Sequence, residues 1–190
     1  MENGIIVIKK EVQMSYQVID NLLSKSDLES IQGVLEGPDF PWYLHHKVKK
    51  DIKLEGSKEN YNFQFIHGFY NNFAPSSQFV EMLNPIIERI DPAAIMRIKA
   101  NLTPATPEII EYGMHTDYGL NGTTNHSGKS AVFYVNSNDG YTIFENGEKV
   151  ESVANRLLVF DPHTLHSGSS HTNTKARIVI NFNYFEWDSK

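Results

Sequence analysis

Two hydrophobic periods divide the chain. Up to about residue 93, short apolar runs alternate with stretches of helical spacing. Ile5–Ile8 and Tyr16–Ile19 predict strands. Ser26-Asp-Leu-Glu29 reads as a capping box, in which a hydroxyl and a carboxylate satisfy the free N–H groups of a helix start. Leu28, Ile31 and Leu35 then share one helical face, and Gly37 marks the stop. Pro38 to Pro41 is a break, and the stretch after Trp42 and Tyr43, to about Asn60, is polar and loop-like. Phe79, Val80, Leu83, Ile86, Ile87 and Ile90 recur at helical spacing and predict a second helix from Ser76 or Ser77. Asn84-Pro85 interrupts it, which predicts a kink or a restart with Asn84 as cap and Pro85 in the first turn.

From about Ile95 the pattern becomes β-rich. Ile95–Thr103, Ser130–Asn136, Tyr141–Phe144, Arg156–Phe160 and Arg177–Tyr184 are separated by Gly, Asn, Asp and Pro, which predicts an antiparallel sandwich or barrel. Asn138-Asp-Gly140 carries a hairpin-turn signal. With 190 residues, a single domain is expected, residues 1–93 supporting a β core over 94–186, the helices covering one sheet.

Alternation within the strands exposes an anomaly. Ile178, Ile180 and Phe182 share one face of the last strand, and Arg177, Val179, Asn181 and Asn183 share the other. In Ile95–Thr103, Ile98, Ala100 and Leu102 oppose Lys99, Asn101 and Thr103. Tyr134 and Asn136 share a face in Ser130–Asn136. One such strand is an ordinary half-exposed strand. Several of them suggest a barrel interior that holds a polar ligand, because unsolvated Arg and Asn are costly in a dry one.

Composition narrows the chemistry. Cysteine is absent, so disulfides, cysteine nucleophiles and cysteine metal ligands are excluded. The net charge of −6, from 17 basic and 23 acidic residues, argues against a nucleic-acid partner. The basic cluster Lys47, Lys49, Lys50 and Lys53 reads first as a solvated loop face and second as a contact for an anionic substrate. No apolar run is long enough to span a membrane, and the first residues do not resemble a signal peptide, so a cytoplasmic location is expected.

Among the eight histidines, only His115 is followed two residues later by an acid, in His115-Thr-Asp117. On an extended segment that spacing puts both side chains on one face, where they can bind one metal ion. His163, His166 and His171 offer a third ligand. Two imidazoles and a carboxylate on one face of an octahedron form the facial triad of non-haem Fe(II) oxygenases. A closed structural zinc site fits less well without cysteine.

The ordered set His115-Thr-Asp117, Tyr134-Val-Asn136, Gly140-Tyr-Thr-Ile-Phe144, His166 and Arg177 resembles the 2-oxoglutarate/Fe(II)-dependent dioxygenases, in their prolyl 4-hydroxylase-like branch and especially the small forms of marine bacteria and their viruses. The resemblance spans about Ile95 to Tyr184, and more weakly the segment with Trp42. It implies a mainly β fold, a double-stranded β-helix (cupin-like jelly roll) with N-terminal helices packed on one sheet. It assigns His115, Asp117 and His166 to Fe(II), with His163 and His171 as alternatives for the third position. It gives Arg177 the distal carboxylate of 2-oxoglutarate, through a planar fork that suits a carboxylate. Tyr134 would donate to the same carboxylate, and Asn101, Thr103, Asn181 and Asn183 are further cosubstrate candidates placed by facing. Some relatives carry Tyr near Thr103, so this position departs from the pattern.

The implied activity is hydroxylation of a C–H bond of a peptidyl-proline, an amino acid or another small substrate, using O2 and releasing succinate and CO2. Retention of Asp117 argues against halogenating variants. Two rival readings are a cupin-like metal-dependent isomerase or hydrolase and a non-catalytic ligand-binding jelly roll. Gly128-Lys-Ser130 is no P-loop, since Thr123 stands where that motif needs glycine. His45, His46 and His67 read as surface or core residues, and the segments 38–60, 118–129 and 70–75, with Tyr118 and His126, are expected to shape the substrate pocket.

Overall fold

The computed structural model describes residues 16–49, 52–117 and 128–187. The strand expected at Ile5–Ile8, together with Lys50, Tyr118 and His126, lies outside the described residues. In chain order the elements are β1 (Tyr16–Ile19), α1 (Lys25–Leu35), β2 (Tyr43–His45), β3 (Gln64–Asn71), β4 (Ala74–Pro75), α2 (Asn84–Ile90), β5 (Ala94–Pro104), β6 (Gly128–Tyr134), β7 (Tyr141–Phe144), β8 (Lys149–Glu151), β9 (Arg156–Phe160), β10 (His166–Gly168) and β11 (Ala176–Phe185). Two short 3-10 turns, Gly56–Tyr61 and Val80–Leu83, complete the set.

All strand pairing is antiparallel. The large sheet runs β1-β9-β6-β11-β5-β3-β2, with β4 beside β3, and the small sheet runs β10-β7-β8. The five β segments expected after residue 94 are all present. The first part of the chain also adds strands: β3 pairs with β5, and β1 with β9. β3 escapes sequence reading because buried Gln64 and His67, with Gly68 after them, break its apolar alternation.

Helix α1 starts two residues earlier than its capping box predicts. Ser24, in extended backbone, accepts from the Asp27 N–H at 3.2 Å and donates to Asp27 Oδ2 at 2.7 Å. Ser26 therefore lies inside the first turn, and Glu29 instead pairs with Lys25. Gly37 does end the helix, its N–H reaching the Val34 carbonyl. The second helical stretch is a restart. A 3-10 turn precedes α2, Pro85 lies in its first turn, and Asn84 is already helical, so it is no cap.

These helices cover the outer face of the large sheet. Ile31, Leu35, Leu83 and Ile86 pack with Ile98, Ala100, Ile178, Ile180 and Phe182 in one buried cluster. Each fully buried large aliphatic side chain contributes roughly 1.5–3 kcal/mol. The inner face meets the small sheet through a second cluster, in which Val132, Tyr134, Leu158 and Phe160 pack on Phe144 and Val150.

Asn138-Asp-Gly140 is not a hairpin. β6 pairs with β9 and β11, whereas β7 pairs with β8 and β10, so this turn carries the chain from one sheet to the other. Asn138 Oδ1 accepts the Gly140 N–H at 3.0 Å, which shapes the crossing. The tight hairpin lies at Asn146-Gly147, between β7 and β8, where Gly147 has φ +87°.

Candidate metal centre

The segment after β5 returns as extended chain alongside β10. Glu111 bridges Ser169, and His115 and His166 exchange both backbone hydrogen bonds at 2.9 Å. His115 and Asp117 thus project from a strand-like segment on the same side, toward His166. One ligand atom from each of His115, Asp117 and His166 lies within 4.8 Å of the others, a cluster that could hold a metal ion. Asp117 Oδ1 is 3.6 Å from His166 Nε2 and 4.0 Å from His115 Nε2.

The surroundings aim these groups. His115 Nδ1 faces the Gly113 carbonyl at 3.2 Å and His166 Nδ1 faces the Thr164 carbonyl at 2.9 Å. With a metal bound, each Nδ1 would carry the proton and each Nε2 would present its lone pair to the metal. Burial first, then His166, lowers His115 to about 4, so its imidazole is neutral at pH 7. Burial acts to raise the Asp117 carboxyl, but the adjoining His166, with Ser130 and Arg97, holds it well below the usual carboxylate range. Neutral imidazoles and an ionised carboxylate are the states that bind a metal. His163 is exposed, and His171 is buried with Nε2 on the Thr174 carbonyl, so neither joins the cluster.

The cluster opens on a cavity of about 130 Å3 between the two sheets. Its large-sheet wall is the polar face that the alternation predicts, with Lys99, Asn101 and Thr103 from β5 and Arg177 and Asn181 from β11. Asn101 Oδ1, Thr103 Oγ1 and Asn181 Oδ1 are buried without a hydrogen-bond partner. Buried polar atoms are ordinarily paired, so three such atoms facing one cavity indicate a polar ligand there.

Arg177 is buried at the end of the cavity opposite Asn183 in the β11 row. Its Nε donates to Ser152 Oγ at 2.8 Å and one Nη reaches the Tyr141 carbonyl at 3.5 Å. Among the described residues no carboxylate pairs with it. A buried cation without a counterion is costly, and an anionic ligand group would offset that cost. Gly140 leaves the space the side chain occupies, since an added Cβ would lie 2.9 Å from Arg177 Cδ and 2.8 Å from the Ser170 carbonyl.

Two candidates are placed differently from expectation. Tyr134 is fully buried beneath Arg177, and its hydroxyl donates to Thr142 Oγ1 at 2.7 Å, so Thr142 is the residue presented to the cavity. Asn183 points to the metal cluster, donating to Asp117 Oδ2 at 3.3 Å and to Ser130 Oγ at 3.0 Å while accepting from Arg97 Nε at 3.0 Å. Asn136 leaves the Tyr134 face altogether. It bonds the Ala176 carbonyl and the Ile178 N–H, closing the edge of β11 beyond the end of β6. Trp42 is a packing residue whose indole N–H donates to the Leu35 carbonyl.

Sequence reasoning missed Ser152 and Tyr112, and gave Thr142 a place in the Gly140–Phe144 motif but no role. Tyr112 lines the cavity, and burial pushes its phenol up to about 12 against the opposing charge of Arg177. No spacing rule signals such residues, because separate strands deliver them. Of the loops expected to shape the pocket, 38–60 supplies Val48 and Lys49, whereas Tyr70 and Pro75 pair in the β3–β4 hairpin. No helix among the described residues is long and apolar enough to cross a membrane.

The fold is shared with 2-oxoglutarate-dependent oxygenases. A prolyl hydroxylase from Trichoplax adhaerens, solved with a peptide of the hypoxia inducible factor oxygen degradation domain, superposes with a TM-score of 0.60 at 16% identity, over 92% of this chain and 84% of that one. The viral collagen prolyl hydroxylase of Paramecium Bursaria Chlorella virus-1, in its 2-oxoglutarate complex, gives 0.59 at 14% identity, over 90% and 96%. HygX from Streptomyces hygroscopicus, with nickel, 2-oxoglutarate and hygromycin B bound, gives 0.54 at 11% identity, over 92% and 84%. No protein-family model matches the sequence, and no curated protein matches it.

Proposed function

We propose that the chain is a single-domain Fe(II)- and 2-oxoglutarate-dependent oxygenase that hydroxylates a C–H bond of a peptidyl-proline, an amino acid or another small substrate. One observation carries this reading. A His–Asp–His cluster and a buried guanidinium without a counterion lie in one polar cavity, lined by unpartnered side-chain oxygens. A cupin-like isomerase or hydrolase has no use for that guanidinium.

His115, Asp117 and His166 would hold Fe(II), leaving coordination positions open toward the cavity. Bound there with 2-oxoglutarate and O2, the iron supplies oxidative decarboxylation to succinate and CO2 together with C–H oxidation. Arg177 fixes the far carboxylate of 2-oxoglutarate, with its Nε held by Ser152. Tyr134 acts through Thr142, and Tyr112 adds a neutral phenol to the same end of the cavity. Asn101, Thr103 and Asn181 hydrogen-bond the cosubstrate along the wall, and Asn183 orients Asp117. The apolar cluster of Val132, Phe160 and Val179 keeps water from that side.

The test is release of CO2 from the C1 carboxylate of 2-oxoglutarate by iron-loaded protein in air. The expected result is turnover that is lost in Asp117→Ala. Folded, iron-loaded wild type that leaves 2-oxoglutarate intact contradicts the reading.

A further inference from the structure

We propose that the primary substrate is a small anion, and that Lys99, flanked by Lys49 and Arg97, binds its carboxylate or phosphate group beside the metal. This rests on the oxygenase reading above and specifies its substrate class.

Register separates Lys99 from the proposed cosubstrate anchor. On the cavity wall Arg177 stands opposite Thr103, whereas Lys99 stands opposite Asn181, four residues along β5. At about 3.3 Å per residue, the two positions are about 13 Å apart. Lys99 lies instead at the level of the metal cluster. The next pair on that wall is Arg97 with Asn183, and Asn183 bonds Asp117. Lys49 comes from the loop after β2 and lines the same cavity.

Charge balance then leaves an anion wanting. In a loaded centre, two positive charges of Fe(II) and one of Arg177 are matched by Asp117 and the two carboxylates of 2-oxoglutarate. Nothing in that set answers Lys99 or Lys49. Among the described residues no hydrogen bond or ion pair engages the Lys99 ammonium, although the residue is half-buried in the cavity wall. Buried ammonium groups are ordinarily paired. The space beside it is open, because its neighbour on β3 is Gly68, where an added Cβ would meet only Ser76 Oγ at 3.9 Å. With 2-oxoglutarate anchored at Arg177, the substrate occupies the side of the cavity next to Lys99 and Lys49.

The test uses anaerobic protein loaded with Fe(II) and 2-oxoglutarate, so that binding is read without turnover. The probes are N-acetyl amino acids beside their N-acetyl amides, and sugar phosphates beside the parent sugars, measured by thermal shift and equilibrium dialysis. The expected result is at least one acid or phosphate binding about tenfold or more tightly than its neutral counterpart. The pair that responds identifies the anionic group. Lys99→Met should bring that ligand down to the neutral level and keep 2-oxoglutarate affinity within about threefold, while Lys99→Arg retains the preference. Neutral counterparts that bind equally well, or a Lys99→Met variant that keeps the preference, overturn the proposal. So does a Lys99→Met variant that loses 2-oxoglutarate, which would make Lys99 part of the cosubstrate site. Wild type that holds no 2-oxoglutarate at all refutes the parent reading instead, and the two failures are thereby distinguished.

Discussion

Asn183 reaches from β11 to donate its amide to Asp117 at 3.3 Å, while its oxygen accepts from Arg97. The carboxylate in the metal cluster is therefore oriented from the large sheet, and the two imidazoles from the extended chain beside β10. Asn183→Leu keeps the volume and removes all three of its bonds, to Asp117, Ser130 and Arg97. Metal affinity should fall about 10–100-fold, as is usual for partners of metal ligands. Equilibrium dialysis with Fe(II) or Zn(II) reads this directly, and unchanged affinity would deny Asn183 the role.

Arg177 and Ser152 make the matching prediction for the cosubstrate. Arg177→Ala should weaken 2-oxoglutarate binding by about 100-fold and leave metal affinity nearly unchanged, because the guanidinium lies at the other end of the cavity row from Asn183. Ser152→Ala removes only the bond to Nε and should cost about tenfold. Calorimetric titration separates the two affinities. Equal loss of metal and 2-oxoglutarate in Arg177→Ala would sink the assignment.

The metal-free protein should be acid-sensitive in a defined window. His115 is held at about 4 by burial and by His166, against an ordinary value of 6.5. Between those values the unfolded chain binds the proton and the folded chain does not. Stability therefore rises with pH across the window and is lost as pH falls from 6.5 to 4. Thermal unfolding of apoprotein should show this limb, and His115→Gln should flatten it. Parallel curves for the two proteins would contradict the assignment.

Lys99 predicts an alkaline limit on ligand binding. Burial foremost, then Arg97 and Lys49, lowers its ammonium to about 8, with Asp117 opposing. An anion bound there favours the protonated form, so affinity should be highest below pH 8 and decline above it. Lys99→Arg, which stays charged, should remove the decline. Titrations of the responding acid or phosphate at pH 7 and pH 9 provide the check.

Much of this site is legible in the sequence, for reasons of periodicity. Alternation in β5 and β11 exposes Lys99, Asn101, Thr103, Arg177 and Asn181 as one polar face, and spacing two on extended chain places His115 with Asp117. What stays hidden depends on which strands meet. Asn138-Asp-Gly140 has hairpin chemistry but crosses between sheets, and the hairpin itself lies at Asn146-Gly147. Alternation puts Asn183 with the cavity residues, yet at the end of the row its nearest partner is Asp117. Ser152 is unremarkable in sequence, and Thr142 is only one position of the Gly140–Phe144 motif; both gain a role where Arg177 and Tyr134 touch them. Ser24 outcompetes Ser26 as cap because its own backbone is extended and its hydroxyl takes the Asp27 N–H.

The central claim is a single centre that holds iron and 2-oxoglutarate together. Anaerobic addition of Fe(II) and then 2-oxoglutarate to metal-free protein tests it most directly, read as a visible metal-to-ligand charge-transfer band. The account predicts a band that needs both additions, disappears in His166→Ala, and requires far more 2-oxoglutarate in Arg177→Ala. Folded wild type that binds Fe(II) and shows no band at saturating 2-oxoglutarate would contradict it.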